Sequence, residues 1–475
     1  MTTIPALTDI PAAPAAGRPF SELPLPPRMH ATLEQLEYLT MTPIQAASLP
    51  ITLAGHDLIA QAKTGSGKTA AFGLALLSKL DPRRFAVQAM VLCPTRELAD
   101  QVAQEIRRLA RFEENIKILV LCGGTAMRPQ MASLEHGAHI VVGTPGRIMD
   151  HLERGSLKLD ELNTLVLDEA DRMLDMGFYD AIAFVAKQCP RQRQTLLFSA
   201  TFPDGIDRLA EKFLSTPREV RLTEQHESST IRQRFYEVKH DERLQAVGAL
   251  LKHYRPTSTL AFCNTKQQCR NLLDLLLAQG FHALTLNGDL EQRERDQVLI
   301  QFANRSCSVL VATDVAARGL DIAQLEAVIN VDVTPDPEVH VHRIGRTGRA
   351  GQEGWALSLC SPGDRRRIAT IAHATGSEPE WHGLGSLQGG DDSPLAPPMV
   401  TLQILGGRKD KIRPGDVLGA LTGEAGLSKE QVGKITVTDQ HTYVAVARDV
   451  ARQALKKLSA GKVKGKSVKV RALED

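Results

Sequence analysis

The sequence predicts an α/β protein made of two tandem parallel-sheet lobes followed by a small α+β domain. Three observations lead there. Short apolar runs alternate with longer helical patterns, the same rhythm restarts after a polar break, and the composition turns basic beyond a stretch rich in Gly, Ser and Pro. At about 100–200 residues per domain, a chain of 475 residues has room for three domains.

The elements follow in order. Residues 1–19, rich in Ala, Pro and Thr, read as a disordered tail. The first lobe covers 20–221, with candidate strands at 57–61, 89–93, 118–121, 140–142, 164–167 and 195–198. The polar, aperiodic LTEQHESST (222–230) is an interlobe linker, and the second lobe, 231–375, has runs at 259–263, 282–286, 308–312 and 327–331. Residues 376–398 carry no helical or strand period and read as a flexible linker. From 399 to 475 the order is strand, helix, strand, strand, helix, strand: VTLQIL, a helix over 414–421, GKITV, TYVAV, a helix over 448–458, and SVKVRA.

Composition narrows the functional classes. With 43% hydrophobic and 24% charged residues the chain is ordinary globular protein. The net charge of +2 hides an asymmetry, because residues 399–475 hold 15 Lys/Arg against 8 Asp/Glu. The terminal domain therefore supplies a local basic surface. Seven cysteines are scattered singly, without the paired spacing of zinc sites, and read as buried thiols of a reducing, cytoplasmic compartment. The N-terminus lacks the basic region of a signal peptide, and no apolar run approaches the ~18 residues of a membrane span. A monomer with no membrane partner is expected.

The most specific motif is AKTGSGKT: Ala62, Lys63, Thr64, Gly65, Ser66, Gly67, Lys68 and Thr69. It follows an apolar strand and precedes a helical run, the setting of a phosphate-binding loop. Glycines let backbone amides approach phosphates, Lys68 reaches the β- and γ-phosphates, Thr69 ligates Mg²⁺, and the helix start adds partial positive charge. DEAD (168–171) emerges directly after the apolar TLVL, at the sheet edge where open α/β proteins bind ligands. Asp168 is suited to hold Mg²⁺ and Glu169 to orient and deprotonate the attacking water. ATP and Mg²⁺ are the expected nucleotide and cofactor.

These motifs together resemble the DEAD-box RNA helicases, with two RecA-like lobes, from Phe20 to about Thr375. The resemblance implies that Gln45, in EYLTMTPIQ, reads the adenine edge and that Phe20 packs on the base. The family usually has Gly where this chain has Glu37 and Pro where it has Met41. Ser199 and Thr201 of SAT, with Asp171, resemble the set that couples hydrolysis to strand separation. Taken alone, SAT reads equally well as a helix cap. In HRIGRTGR, His342 is a coupling residue, and Arg346 and Arg349 resemble arginine fingers brought to the γ-phosphate by lobe closure. Asp321 is placed on the ribose.

The RNA track is read from loops: Pro94, Thr95 and Arg96; Gly123 and Gly124; Thr144, Pro145, Gly146 and Arg147; FCNT (262–265); then Gln292, Arg295, Thr313 and Asp314. Backbone amides, hydroxyls and arginines suit phosphate and sugar contact, and 2′-hydroxyl contacts select RNA. Any one of these loops is also an ordinary turn, and only their order makes a set. The element order after 399 is that of an RNA-recognition-motif (RRM) fold. Its usual stacking aromatics are missing apart from Tyr443, so binding is expected through basic loops, with Lys409, Lys411, Arg413 and Lys464 as contacts. Core plus terminal domain resemble the bacterial members of this family directed at ribosomal RNA. That implies a 23S rRNA hairpin near the peptidyl-transferase centre and pre-50S particles as partners, local duplex unwinding as activity, and large-subunit assembly as role. Two other readings stay open at this point. A DNA-directed motor differs in being stimulated by DNA, and a non-catalytic scaffold is disfavoured by intact Lys68, Glu169, Arg346 and Arg349.

Overall fold

The structure, a computed structural model, describes residues 17–62, 65–201, 204–222, 231–317, 325–348, 353–375, 377–387, 396–424 and 426–473. Most of the tail, the interlobe linker apart from Leu222, and residues 388–395 of the second linker lie outside the described residues. The chain divides into two units, one holding the first lobe and the other the second lobe with the C-terminal domain.

In the first lobe the described strands are β1 (Leu58–Gln61), β2 (Ala89–Leu92), β3 (Ile118–Leu121), β4 (Ile140–Gly143), β5 (Thr164–Leu167), β6 (Gln194–Ser199) and β7 (Arg218–Arg221). They pair in parallel in the order β3-β4-β2-β5-β6-β1-β7. Central strands are buried along their whole length and mostly apolar because helices cover both faces. Alternation then sends neighbouring side chains into separate cores. Val91, Val166, Leu196 and Phe198 join one; Met90, Leu92, Leu165 and Leu197 join the other. The helix Arg96–Leu109 closes one face with Leu98, Ala99, Val102, Ala103, Ile106 and Leu109, a spacing that puts every buried side chain on one stripe.

The second lobe repeats this connectivity. Its strands are β8 (Ile231–Glu237), β9 (Thr259–Cys263), β10 (Ala283–Leu286), β11 (Val309–Thr313), β12 (Ala327–Asn330), β13 (Gly354–Cys360) and β14 (Trp381–His382). Their order is β10-β11-β9-β12-β13-β8-β14, the first lobe's order position for position. Residues 377–387, expected as part of a flexible linker, instead pack on this lobe. Phe235 N–H donates to the Glu380 carbonyl at 2.9 Å, Trp381 lies 5.9 Å from Phe235 between ring centroids, and Leu384 and Leu387 rest on the core. Ring contact with Phe235 and the packing of Leu384 and Leu387 hold this segment where periodicity is silent. At the other end, Met41 N–H bonds the Arg18 carbonyl at 2.8 Å and Gly17 N–H bonds the Met41 carbonyl at 3.4 Å, so backbone pairing reaches three residues further back than Phe20.

In the C-terminal domain, β15 (Met399–Leu405), β16 (Val432–Val437), β17 (His441–Ala447) and β18 (Val470–Ala472) form an antiparallel sheet in the order β16-β17-β15-β18. Leu402, Ile404, Val444 and Val446 face a core completed by Val417, Leu421, Ala454 and Leu458. On the opposite face Thr401 meets the second lobe. Its hydroxyl lies 2.6 Å from Ser306 Oγ and accepts from Asn304 Nδ2 at 3.1 Å, while Met399 N–H donates to the Arg305 carbonyl at 3.3 Å. Tyr443, the one candidate stacking aromatic, is 4% exposed on this face, with its hydroxyl bonded by Gln403 at 3.1 Å.

All seven cysteines are buried free thiols. Among the described residues no helix is long and apolar enough to cross a membrane. Asp57 pins three strand starts at once. Its carboxylate accepts from Thr195 N–H at 2.8 Å and Ser215 N–H at 2.6 Å, and its carbonyl accepts from Arg218 N–H at 2.8 Å. Asp57→Ala leaves the buried Thr195 N–H unsatisfied and hands the exposed Ser215 N–H to water, and is expected to cost the first lobe about 1–3 kcal/mol. Urea unfolding reads this directly, with Asp57→Asn losing less because one acceptor survives.

Candidate nucleotide and RNA sites

Three adjacent strands, β5, β6 and β1, deliver the nucleotide candidates at their carboxyl ends. After β1 the chain turns through Gly65 and Gly67, with φ of 84° and 93°, and Gly67 caps the helix Lys68–Ser78. A side chain at Gly67 would collide with Gln45, since a Cβ there would sit 2.5 Å from its Nε2. Gln45 donates to the Gly67 carbonyl at 3.0 Å and accepts from Thr42 N–H at 2.9 Å. The residue expected on adenine therefore also braces the phosphate loop. Ala62 continues the β1–β6 ladder, donating to the Ser199 carbonyl at 2.9 Å. Ser66 and Thr69 are half-buried, whereas Lys63 and Thr64 lie outside the described residues. Phe20 is buried in the lobe core, edge-on to Tyr38 at 5.8 Å between centroids. Glu37 has φ of 62°, which explains why glycine suits that turn.

Lys68, Asp168, Glu169 and Asp171 are all buried. Lys68 Nζ and Asp168 Oδ1 have no hydrogen-bond partner among the described residues, an expensive arrangement for buried ionic groups unless a ligand meets them. Burial pushes the Asp168 carboxyl up to about 6, with Lys68 opposing the rise and Glu169 adding to it. A divalent cation would reverse that effect, and the Asp168 carboxylate with the Thr69 hydroxyl are hard oxygen donors that fit Mg²⁺. Glu169 sits in the left-handed region, φ 51° and ψ 53°, a strained conformation for a non-glycine residue. Its carboxylate is held by Arg172 at 3.2 Å, a partner that sequence reading missed although it lies only three residues on.

Asp171 connects DEAD to SAT. Its Oδ2 accepts from Ala200 N–H at 3.2 Å, Thr201 N–H at 2.9 Å and Thr201 Oγ1 at 2.9 Å. Ser199 Oγ accepts from Asp171 N–H at 3.3 Å and donates to the Thr201 carbonyl at 2.6 Å. DEAD and SAT are thus joined by hydrogen bonds as well as by packing.

The RNA-track candidates of this lobe occupy the other half of the same edge, after β2, β3 and β4. Thr95 caps the helix Arg96–Leu109, accepting from Leu98 N–H at 3.3 Å, and Arg96 reaches Asp100 at 4.0 Å. Thr144 and Pro145 open the helix Pro145–Glu153, in which Gly146 and Arg147 follow. Arg147 donates to the Thr125 carbonyl at 3.0 Å and to Gln130 at 2.9 Å, and so joins this helix to the turn at Gly123 and Gly124.

In the second lobe the candidate loops again follow the matching strands, β9, β10 and β11. Thr265 caps the helix Lys266–Ala278 as Thr95 does its own. Gln292 bonds Asp296 at 2.7 Å, Arg295 donates to the Ala316 carbonyl at 2.7 Å, and Thr313 Oγ1 accepts from Ala316 N–H at 3.4 Å. Asp314 gives both carboxylate oxygens to Arg343, each at 2.6 Å. Its contribution to any RNA contact is accordingly to fix the loop. Arg343 is 2% exposed, stacks over Phe262 at 5.0 Å and donates to the Asp332 carbonyl at 2.7 Å. Asp332 in turn pairs with Arg243 and accepts from Asn264 N–H at 3.2 Å, and Arg243 reaches Asp364 at 3.2 Å. Sequence reading missed this network, because no local pattern marks a buried arginine. On the helix Pro337–Ile344, His342 is half-buried while His340 and Arg343 point inward. Arg346 is buried in this lobe, and Arg349 and Asp321 lie outside the described residues.

In the C-terminal domain, distant segments meet in one basic loop cluster. Lys464 Nζ bonds the Lys411 carbonyl and lies 3.9 Å from Asp416, which also accepts from Arg413 N–H at 2.8 Å. Lys409 N–H bonds the Asp439 carbonyl at 3.1 Å. Lys411 and Lys464 both have positive φ, 61° and 54°.

Comparison with known proteins agrees with this architecture. The DEAD/DEAH box helicase family matches residues 42–209, the helicase conserved C-terminal domain 242–351, and the DbpA RNA binding domain 401–472. ATP-dependent RNA helicase DbpA of Escherichia coli K12 is 53% identical over 450 residues, 95% of this chain and 98% of its own length. ATP-dependent RNA helicase CshA of Listeria monocytogenes is 43% identical over 357 residues, 75% of this chain and 68% of its own. Among solved structures, S. cerevisiae Dbp5 bound to RNA and ADP BeF3 aligns with a TM-score of 0.71 at 30% identity, covering 77% of this chain and 96% of that one.

Asp314→Asn strips the counter-charge from a buried guanidinium and is expected to destabilise the second lobe by about 2–3 kcal/mol. An unchanged urea midpoint would show that the pair contributes nothing.

Proposed function

We propose that this chain, which belongs to the DEAD-box family of ATP-dependent RNA helicases, is directed by its C-terminal domain to a hairpin of 23S ribosomal RNA near the peptidyl-transferase centre and opens a neighbouring helix during assembly of the large (50S) ribosomal subunit. The juxtaposition of Lys68 and Asp168 supports the catalytic part of this reading, since Lys68 Nζ and Asp168 Oδ1 are two buried atoms of opposite charge without hydrogen-bond partners among the described residues, beside a phosphate loop. Targeting is supported by the match to a DbpA RNA binding domain and by the basic loop cluster around Lys411 and Lys464. The cytoplasm is the compartment where this work would be done, by a monomer acting on pre-50S particles.

In this reading, backbone amides from Gly65 to Thr69 and the Lys68 ammonium receive the phosphates of ATP, and Phe20, Gln45 and Asp321 recognise the nucleoside. Asp168 and Thr69 would hold Mg²⁺, which supplies charge neutralisation on the β- and γ-phosphates. Glu169, oriented by Arg172, takes the proton of the attacking water. Arg346 and Arg349 offset the charge that spreads over the transferring phosphoryl group. Asp171 passes the change at the γ-phosphate to Ser199 and Thr201 along hydrogen bonds already in place. The loops after β2, β3, β4, β9, β10 and β11 hold one RNA strand by its phosphates and 2′-hydroxyls.

Glu169→Gln keeps the shape but removes the base, so kcat for RNA-stimulated ATPase should fall by at least about 10²-fold while ATP and RNA still bind. Ordinary turnover in that variant would remove Glu169 from its role. Deleting residues 399–475 should leave ATPase activity with generic RNA and abolish preference for the ribosomal hairpin. Competition between that hairpin and a scrambled one measures the preference, and its survival in the truncated protein would overturn the targeting.

A further inference from the structure

Where the C-terminal sheet rests on the second lobe, the seam leaves a cleft of about 320 Å³. Arg293 enters from the helix Gln292–Ala303, and Gln403, His441, Lys469 and Arg471 enter from the C-terminal domain. Among the described residues no Asp or Glu lines it. Arg471 Nε donates to Gln403 Oε1 at 2.7 Å, and Gln403 Nε2 donates to the Tyr443 hydroxyl at 3.1 Å, so a buried amide fixes this guanidinium. Arg293 lies 3.5 Å from His441 Nε2. Burial and the two neighbouring arginines hold the His441 imidazole below its usual range, as a neutral ring between cations.

Three exposed cations drawn from two domains line one cleft with no carboxylate beside them among the described residues, a surface that attracts an anion, most strongly at low salt. Position narrows the choice of anion. Arg293 stands on the helix whose first turn also carries Gln292 and Arg295, at the sheet edge marked by β10. Gln292 and Arg295 turn toward their own lobe through Asp296 and the Ala316 carbonyl, whereas Arg293 turns toward the seam. One helical turn therefore joins the RNA-track edge of the lobe to this cleft.

We infer that the seam cleft binds the phosphodiester backbone of RNA, with Arg293, Lys469 and Arg471 acting as one composite phosphate site that exists only while the C-terminal domain is docked. This deepens the targeting function and rests on the reading that the C-terminal domain binds RNA. It also gives a use to a sheet face without stacking aromatics. The face is spent on docking, and its polar rim becomes the binding element. Backbone contact carries no sequence information, so the cleft adds affinity and orientation, and base selectivity stays with the loops around Lys411 and Lys464.

The test is the salt dependence of binding by the full-length protein to a labelled ribosomal hairpin with a single-stranded flank, and to a scrambled hairpin with the same flank. Lys469→Ala and Arg471→Ala should each weaken binding to both RNAs and flatten the slope of log K against log salt by about 0.7 for each phosphate left without its cation. Arg293→Ala should do the same, and Arg293→Lys should restore most of the slope. Thr401→Val, which loosens docking without removing charge, should weaken binding and show little further loss when combined with Lys469→Ala. Thermal unfolding of each variant reports whether it is folded. Wild-type slopes in folded Lys469→Ala and Arg471→Ala would overturn the phosphate site, even if the hairpin preference persists. A flattened slope in these variants alongside equal binding of the two hairpins by the wild type would uphold the phosphate site and overturn the targeting instead.

Discussion

A parallel ladder sends every strand's carboxyl end to one edge of the sheet, and the phosphate loop, DEAD, SAT and the loops read as RNA contacts all depend on that constraint. In the first lobe the strand order then divides the edge. The neighbours β5, β6 and β1 present DEAD, SAT and the phosphate loop, while β3, β4 and β2 present the loops read as RNA contacts. Nucleotide and RNA candidates thus share a rigid sheet without sharing a loop. The second lobe has the same strand order, and its RNA candidates follow β10, β11 and β9, the matching strands. After β8, the counterpart of β1, no Gly-rich phosphate loop follows, and the chain continues as VKHDER. The repeat has kept its framework and changed its loops, which is how one architecture supplies two kinds of lobe.

Buried charge ties the segments of these edges together. Asp171 ties DEAD to SAT by several hydrogen bonds to one carboxylate. In the second lobe Asp314, Arg343, Asp332, Arg243 and Asp364 form a chain that joins the loop after β11, the helix bearing HRIGR and the loop after β9. Such networks add little net stability, because desolvation offsets most of the Coulombic gain. What they provide is geometry, since a buried carboxylate with fixed donors cannot drift without leaving charge unpaired. That is the property a coupling element needs.

The C-terminal domain uses the strand order of an RNA-recognition fold for a different purpose. Thr401 bonds the second lobe, and Tyr443 is buried on the same face. With that face committed to docking, basic residues gather in loops and at the sheet edge. The scarcity of aromatics follows, because a stacking ring would have no base to meet there.

Sequence alone determined the chemistry. A phosphate loop, a DEAD box and a basic terminal domain are contiguous patterns, because phosphate binding demands particular residues at fixed short spacing, and the ten strands read from apolar runs lie within a residue or so of those observed. It was weaker where the pattern carries no period. The edge strand β7 and β8, one strand in from the edge, mix polar and apolar residues, β13 is an apolar run that periodicity does not separate from a buried helical turn, and β14 is two residues held by aromatic packing. Tertiary structure decided the rest: that Gln45 braces Gly67, that Asp314 belongs to Arg343, that Lys411 meets Lys464, and that the terminal sheet docks by its polar face. Each of these joins residues far apart in the chain, and only the sheet order and the burial of charge bring them within hydrogen-bond reach.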